Sequence, residues 1–172
     1  MARLVIPAFM MPRTEIAVFK TDHHRDFRVD HATSMWQVAR ATSAAPSLLK
    51  GLEHAESGSI FLDGGIWCNN PIMVAIVDAC SAYDLTLEQI EVLTIGTGNA
   101  PFELPARDAL SAWFAWRDVV KAAMFLTTDN ATAQAKLLLG PERCLRLEPS
   151  GRAVHIEMDD YDQAFAQLPY LA

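Results

Sequence analysis

The sequence predicts an α/β fold. Short β-branched and aromatic runs alternate with longer stretches whose apolar residues recur at helical spacing. A strand at 60–62, a helix from about Pro71 to Tyr83 and a strand at 91–95 follow one another, the order that implies a parallel pair joined by a right-handed crossover. Of the 172 residues, 51% are hydrophobic and 20% charged, enough apolar surface to offset the entropy of ordering and to exclude intrinsic disorder. The length suits one domain, residues 1–172, without internal repeat or low-complexity linker.

Taken in order, Leu4-Val5-Ile6 and Ile16-Ala17-Val18-Phe19 mark two strands, at 3–9 and 15–20, with Met11-Pro12-Arg13-Thr14 as a hairpin-like connection. Residues 21–34, with His23, His24, His31 and charges of both signs, have no apolar period and read as a loop. Trp36, Val38 to Ala41, Ala44 and Ala45 make a short helix that Pro46 terminates. A loop carrying Gly51 and Gly58 leads to the strand Ile60-Phe61-Leu62, which ends on Asp63-Gly64-Gly65. Asn70 is suited to cap the next helix and Pro71 to occupy its first position. Gly96-Thr97-Gly98 is a tight exit from the strand at 91–95; the later glycine and lysine of a phosphate-binding loop are missing. Two helices at 106–126 and 130–139, a strand at Cys144–Leu147 and a final helix from about Asp160 to Leu168 complete the pattern.

Fourteen Lys and Arg against 21 Asp and Glu give a formal net charge of −7, with no basic cluster to attract a phosphate backbone, so nucleic acid is excluded as the expected partner. Cys68, Cys80 and Cys144 form no CxxC pair, and their odd number fits a reducing cytoplasm. Pro7 and Pro12 interrupt the short apolar start, arguing against a signal peptide. No apolar run approaches the roughly 18 residues of a spanning helix, so membrane contact, if any, is expected to be peripheral.

Asp63 is the most informative single residue. A carboxylate just past a buried strand, followed by two glycines, stands at the sheet edge where ligands bind in open α/β sheets; the same residue is equally suited to capping a turn. Asn69-Asn70-Pro71 would bring capped helix amides near that carboxylate.

Three blocks then carry a resemblance: Ala39-Arg40-Ala41-Thr42-Ser43-Ala44-Ala45-Pro46, Leu62-Asp63-Gly64-Gly65-Ile66-Trp67-Cys68-Asn69-Asn70-Pro71 and Leu93-Thr94-Ile95-Gly96-Thr97-Gly98. In order and spacing they resemble the patatin-like phospholipases, and Val18-Phe19-Lys20-Thr21-Asp22-His23-His24 looks like the bacterial branch; with weaker motifs at 135–138 and 145–147, the resemblance extends over nearly the whole chain. It implies a three-layer sandwich, a mainly parallel sheet between helices, incomplete here on its N-terminal side. It also implies a serine acyl hydrolase with a Ser–Asp dyad: Asp63 would be the catalytic partner of the nucleophile, with Gly64, Gly65, Asn69 and Asn70 supporting its loop. The substrate would be a lipid or acyl ester, no cofactor or metal is implied, and some bacterial relatives are switched on by small signalling molecules. A free Asp has a pKa of about 3.9, so to act as base it needs a tight hydrogen bond or partial desolvation.

The departure from the family is large. No G-x-S-x-G elbow and no Gly-rich oxyanion loop occur in these residues. Ser43, Ser57 and Ser59 are not on a glycine-flanked elbow, so the expected nucleophile is none of this chain's serines but one on an N-terminal segment, in cis or in trans. The alternative is a catalytically inactive remnant or interaction module of the same fold. His23-His24 offers no third metal ligand and reads as a solvated loop. Trp113, Phe114, Trp116 and Phe125 suit core packing, an acyl-chain wall or a membrane-facing patch.

Overall fold

The first strand, β1 (Val5–Met11), pairs on one side with β2 (Glu15–Lys20), the expected hairpin, with Ala8 opposite Ala17. The computed structural model describes residues 2–27, 32–46, 48–98, 116–148, 156 and 160–167. On its other side β1 takes β4 (Ser59–Asp63), with Ala8 opposite Asp63, and β4 in turn pairs with β3 (Leu52–His54). The sheet has the order β2-β1-β4-β3 and every pair in it is antiparallel. Pro7 is tolerated in this central strand because it lies one residue beyond the Ala8–Asp63 end of the β4 ladder. Its carbonyl accepts the Thr42 hydroxyl at 2.8 Å.

Helix α1 (Met35–Thr42) covers this sheet. Ser34 and Gln37 form a capping box at its start, and it ends at Thr42, before Pro46 is reached. Val38 and Ala41 face Ala8, Phe19 and Phe61 in the first hydrophobic cluster, where the Phe19 and Phe61 rings lie 5.1 Å apart. β3 is an element the sequence reading passed over. Three residues are too few to show a period, and only their pairing with Ser59, Ile60 and Phe61 across a turn with Gly58 at φ +65° defines them.

A second cluster forms around α3 (Ile72–Tyr83) and α4 (Trp116–Leu139), joining Ile72, Ile76, Ile90, Ala135, Leu139 and Cys144. α3 ends where expected, on Asp84 in the left-handed conformation. Under these helices β5 (Val92–Ile95) and β6 (Cys144–Leu147) run parallel, with Val92 opposite Cys144 and Ile95 opposite Leu147. Leu93, Ile95, Leu145 and Leu147 share the opposite, open face, with Ile95 74% exposed. Between β4 and α3 in the chain lies the four-residue helix α2 (Gly65–Cys68), packed on β1 and α4, and α5 (Tyr161–Gln167) closes the described chain.

The architecture is therefore mixed α/β, and the structure corrects two expectations. The strand at 60–62 does not pair with the strand at 91–95. β4 is taken by β1 and β3 and so belongs to an antiparallel sheet, while the parallel partner of β5 is β6. The helices placed at 106–126 and 130–139 are one helix from Trp116 onward. Thr127, Thr128, Asp129 and Asn130 interrupt its apolar period but not its backbone. Residues 106–115 lie outside the described residues.

A buried carboxylate joins the two clusters. Asp78 on α3, 4% exposed, receives Lys20 Nζ at 2.7 Å and His23 Nε2 at 2.8 Å. His23, read from sequence as a solvated metal-poor loop residue, has a side chain with no exposed surface. Its ring stacks on Tyr83 at 5.4 Å, and Phe27 meets it edge-on at 5.0 Å. Because a carboxylate only accepts, Nε2 donates to Asp78, and Nδ1 lies 2.9 Å from the Thr21 hydroxyl. Burial pushes the Asp78 carboxyl up, but the hydrogen bonds and charges of Lys20 and His23 outweigh it and hold the group below its ordinary value.

Asp78→Ala leaves the half-buried Lys20 without its counter-charge and the buried His23 ring without its acceptor, and is expected to cost about 3–5 kcal/mol in denaturant unfolding. Between its depressed folded value and the ordinary carboxylate value, the unfolded chain binds the proton that the folded chain does not. The stability contributed by Asp78 is thus complete above the ordinary value and is lost as pH falls through the folded one. Unfolding measured from about pH 7 to about pH 3 is expected to fall less steeply in Asp78→Asn than in the parent chain.

Candidate active site

Asp63 closes β4 at its carboxyl end, its amide donating to the Ala44 carbonyl at 3.1 Å. The half-buried side chain turns back on its own loop, where Oδ1 accepts the Gly65 amide at 2.7 Å. No ion pair with a cation engages it among the described residues, which leaves Oδ2 available as an acceptor.

Of the two glycines after Asp63, Gly64 is required for space and Gly65 fits closely. Gly64 has φ −64° and ψ −23°, ordinary helical values, so it contributes no special turning freedom. A Cβ there would meet the Pro7 carbonyl, lying 2.6 Å from its carbon. A Cβ on Gly65 would stand 3.1 Å from both Asp63 Oδ1 and Asn69 Oδ1 and 3.2 Å from Met124 Cε. The loop can thus press against β1 only if the side chain at 64 is absent, whereas at 65 a methyl group would need its side-chain neighbours to shift by a few tenths of an ångström. Trp67 fixes it from the other side, Nε1 donating to the Ala8 carbonyl at 2.9 Å.

Asn69 and Asn70 clamp the loop to α4. Asn69 Nδ2 donates to Thr128 Oγ1 at 3.0 Å, and the buried Asn70 donates to Thr132 Oγ1, also at 3.0 Å. Asn70 Oδ1 accepts the Ile72 amide at 3.2 Å, which is the capping role expected of it, although Pro71 precedes the first helical residue instead of occupying it. The Asn70 side chain takes up that first-turn amide, and no contact brings the α3 amides to Asp63 among the described residues.

The remaining candidates fall away from this point. Ser43 donates to the Ala39 carbonyl at 2.8 Å. Ser57 pairs with His54 Nδ1 at 2.9 Å on the exposed turn before β4, with Ser59 beside it, at the strand's opposite end from Asp63. Burial pushes the Cys68 thiol up, which keeps it protonated and poorly nucleophilic. No group of three or more metal-ligating side chains gathers among the described residues.

A cavity of about 530 Å³ opens next to the loop. It is lined by Asn69 to Ile72, by the strand and turn at 92–98, by Met124, Phe125 and Thr128 of α4, and by Arg146; Asp63 itself is not in its wall. Phe125 lines this space and is not part of either buried cluster; Trp113 and Phe114 lie outside the described residues. Thr128, Thr132 and Arg146 were not singled out from sequence. The signal for the threonines was the polar break at 127–130, which marks where the helix meets Asn69 and Asn70 instead of where it stops.

The structure thus sets a carboxylate on a strand end, a glycine-tight loop and an adjoining cavity in a mixed α/β frame. The chain is similar to a cGAMP-activated phospholipase of Escherichia coli, 32% identical over 106 residues, which is 59% of this chain and 30% of that protein. It is similar to proteins of the same name from Vibrio cholerae, 27% identical over 59% of this chain and 30% of the relative, and Pseudomonas aeruginosa, 30% identical over 77% and 41%. The chain thus spans 30–41% of the length of these relatives. At family level the similarity agrees with the patatin-like resemblance, over a narrower share of the chain than the motifs implied. No family model and no solved structure matches the chain.

Gly64→Ala is expected to force β1 and the loop apart and to lower stability by about 1–3 kcal/mol in denaturant unfolding. Thr132→Val leaves the buried Asn70 amide only its longer contact to the Thr128 carbonyl at 3.5 Å and is expected to cost about 1–3 kcal/mol in the same measurement, with Thr132→Ser close to the parent.

Proposed function

We propose that this chain is the C-terminal part of a lipid acyl hydrolase and supplies the carboxylate of a Ser–Asp dyad. The observation that carries the reading is Asp63: half-buried, held through Oδ1 by the Gly65 amide, without a competing cation among the described residues. In this reading the nucleophilic serine and the oxyanion donors come from a segment outside these 172 residues, in cis or in trans, which also completes a three-layer sandwich around a mainly parallel sheet.

The chemistry follows from those positions. Asp63 Oδ2 accepts the proton of the serine hydroxyl as the serine oxygen attacks the ester carbonyl carbon, and the carbonyl pair moves onto its oxygen, where the oxyanion donors hold it. Collapse of that intermediate expels the alcohol, which takes the proton from Asp63 and leaves an acyl-serine. Water then attacks the acyl carbon while Asp63 accepts its proton, and as this second intermediate collapses Asp63 returns that proton to the departing serine oxygen, releasing the fatty acid and the free serine. Gly64 and Gly65 let the loop seat closely, and Asn69 and Asn70 hold it against α4 so that the carboxylate keeps one orientation.

The relatives' names support a phospholipid as substrate and a cyclic dinucleotide as activator. No helix among the described residues is long and apolar enough to cross a membrane. In this reading the chain meets lipid peripherally, at a cytoplasmic surface. A second reading, an inactive interaction module of the same fold, is favoured by one observation, the absence of a G-x-S-x-G elbow from the sequence.

The two readings part in one experiment. On p-nitrophenyl esters and phospholipid vesicles, the 172-residue chain is expected to match its Asp63→Ala variant. Supplied with the serine-bearing segment, it is expected to hydrolyse both substrates, with Asp63→Asn lowering kcat by about 10²–10⁴-fold. A chain that stays inactive with that segment bound supports the interaction module.

A further inference from the structure

The carboxylate of Glu148 sits where a side chain of Gly96 would be: a Cβ built on Gly96 collides with both of its oxygens. Three features make that spot a cradle for negative charge. The Gly98 amide donates to Glu148 Oε2 at 3.0 Å, from a backbone at φ +105° that favours glycine. The Arg146 guanidinium pairs with Glu148 Oε1 and, through Nη1, donates to Thr94 Oγ1 at 3.0 Å, which fixes the direction of its fork. Gly96 leaves the volume empty of its own atoms.

The cradle is not a closed part of the core. Gly96, Gly98, Thr94 and Arg146 line the cavity of about 530 Å³, and Arg146 and Glu148 also line a second one of about 300 Å³ with Lys136 and Asp129. The Arg146 side chain is 14% exposed and that of Glu148 24%, and Glu148 borders the smaller cavity, into which its carboxylate can turn when displaced.

We propose that this cradle is a binding site for the phosphate group of a ligand entering from the larger cavity, and that Glu148 is its built-in competitor. A phosphate oxygen on the Gly98 amide and two more on the Arg146 fork replace each interaction that Glu148 makes. The exchange keeps Arg146 paired with an anion throughout, so it leaves no buried charge uncompensated, and the displaced Glu148 is solvated. From sequence the turn at 96–98 lacks the lysine of phosphate loops; here Arg146 on the neighbouring strand stands in that role, brought there by the β5–β6 register, in which Thr94 opposes Arg146. The proposal does not rest on the acyl-hydrolase reading, because its test is binding and not turnover.

The experiment titrates the full chain with inorganic phosphate, followed by calorimetry and by the Gly98 amide signal in ¹⁵N-glycine-labelled protein. Glu148→Gln removes the competing charge and is expected to tighten phosphate binding about tenfold and to move the Gly98 signal at saturation. Adding Arg146→Gln is expected to abolish that gain. Arg146→Lys, which keeps the charge without the fork, serves if the glutamine variant unfolds, and it too is expected to lose most of the gain. Equal affinity in the parent and Glu148→Gln, or a gain that survives both Arg146 variants, overturns the proposal. Phosphatidylcholine vesicles with and without phosphatidic acid then separate the sources. Cosedimentation of Glu148→Gln above the parent, dependent on phosphatidic acid, indicates a lipid headgroup, and binding of free phosphate alone a soluble phosphorylated ligand.

Discussion

The carboxylate of Asp78 is the joint on which the arrangement turns. The first cluster lies between α1 and the antiparallel sheet, and the second between α3, α4 and the parallel pair. Asp78 belongs to a helix of the second, and its partners Lys20 and His23 to the end of β2 and the loop after it. An ion pair so buried adds little net stability over an apolar substitute, but it has one geometry in which its charges are satisfied, whereas apolar faces slide. It therefore specifies how the two clusters sit. Lys20 Nζ also lies 4.1 Å from the centre of the Phe27 ring, a cation–π contact that further fixes its position.

The candidate active site depends on that setting, because its residues come from both halves. Asp63 ends a strand of the first sheet, and Thr128 and Thr132 lie on a helix of the second cluster. Between them the loop at 64–70 is held at four places: by the missing side chain of Gly64 against Pro7, by Trp67 on Ala8, and by Asn69 and Asn70 on α4. Each is a short, directional contact. A shift of α4 relative to β1 would break several together, so the Asp63 orientation is a property of the assembled domain.

The parallel pair shows the same dependence from the side of electrostatics. Parallel strands are ordinarily covered on both faces, and here one face packs on the second cluster while Leu93, Ile95, Leu145 and Leu147 stay open. At the far end of the pair the backbone polar groups are answered locally: the Gly96 amide reaches the Leu147 carbonyl at 2.9 Å and the Gly98 amide the Glu148 carboxylate. The strand exit thus carries both an apolar face and a charged plug within a few residues, next to the cavity that the Asn69–Asn70 loop shares.

What the sequence determined by itself is what local chemistry dictates. The hairpin at 5–20, the helix at 72–83 with Asn70 at its start, the strand at 92–95 and the position of Asp63 at a strand end were legible because period, caps and turn residues act over a few neighbours. The three motif blocks were legible in the same way and pointed to the lipid-hydrolase relatives. Tertiary structure alone decided the partners. β4 joined β1 in place of β5 because strand pairing is settled by which edges meet, and local sequence carries no record of that. His23 became a buried partner of Asp78, 55 residues away, and the polar residues at 127–130 stayed helical because Asn69 and Asn70 give Thr128 and Thr132 partners. Gly64 needed no unusual dihedral; it is glycine because Pro7 occupies the space, a constraint that exists only once two distant segments are brought into contact.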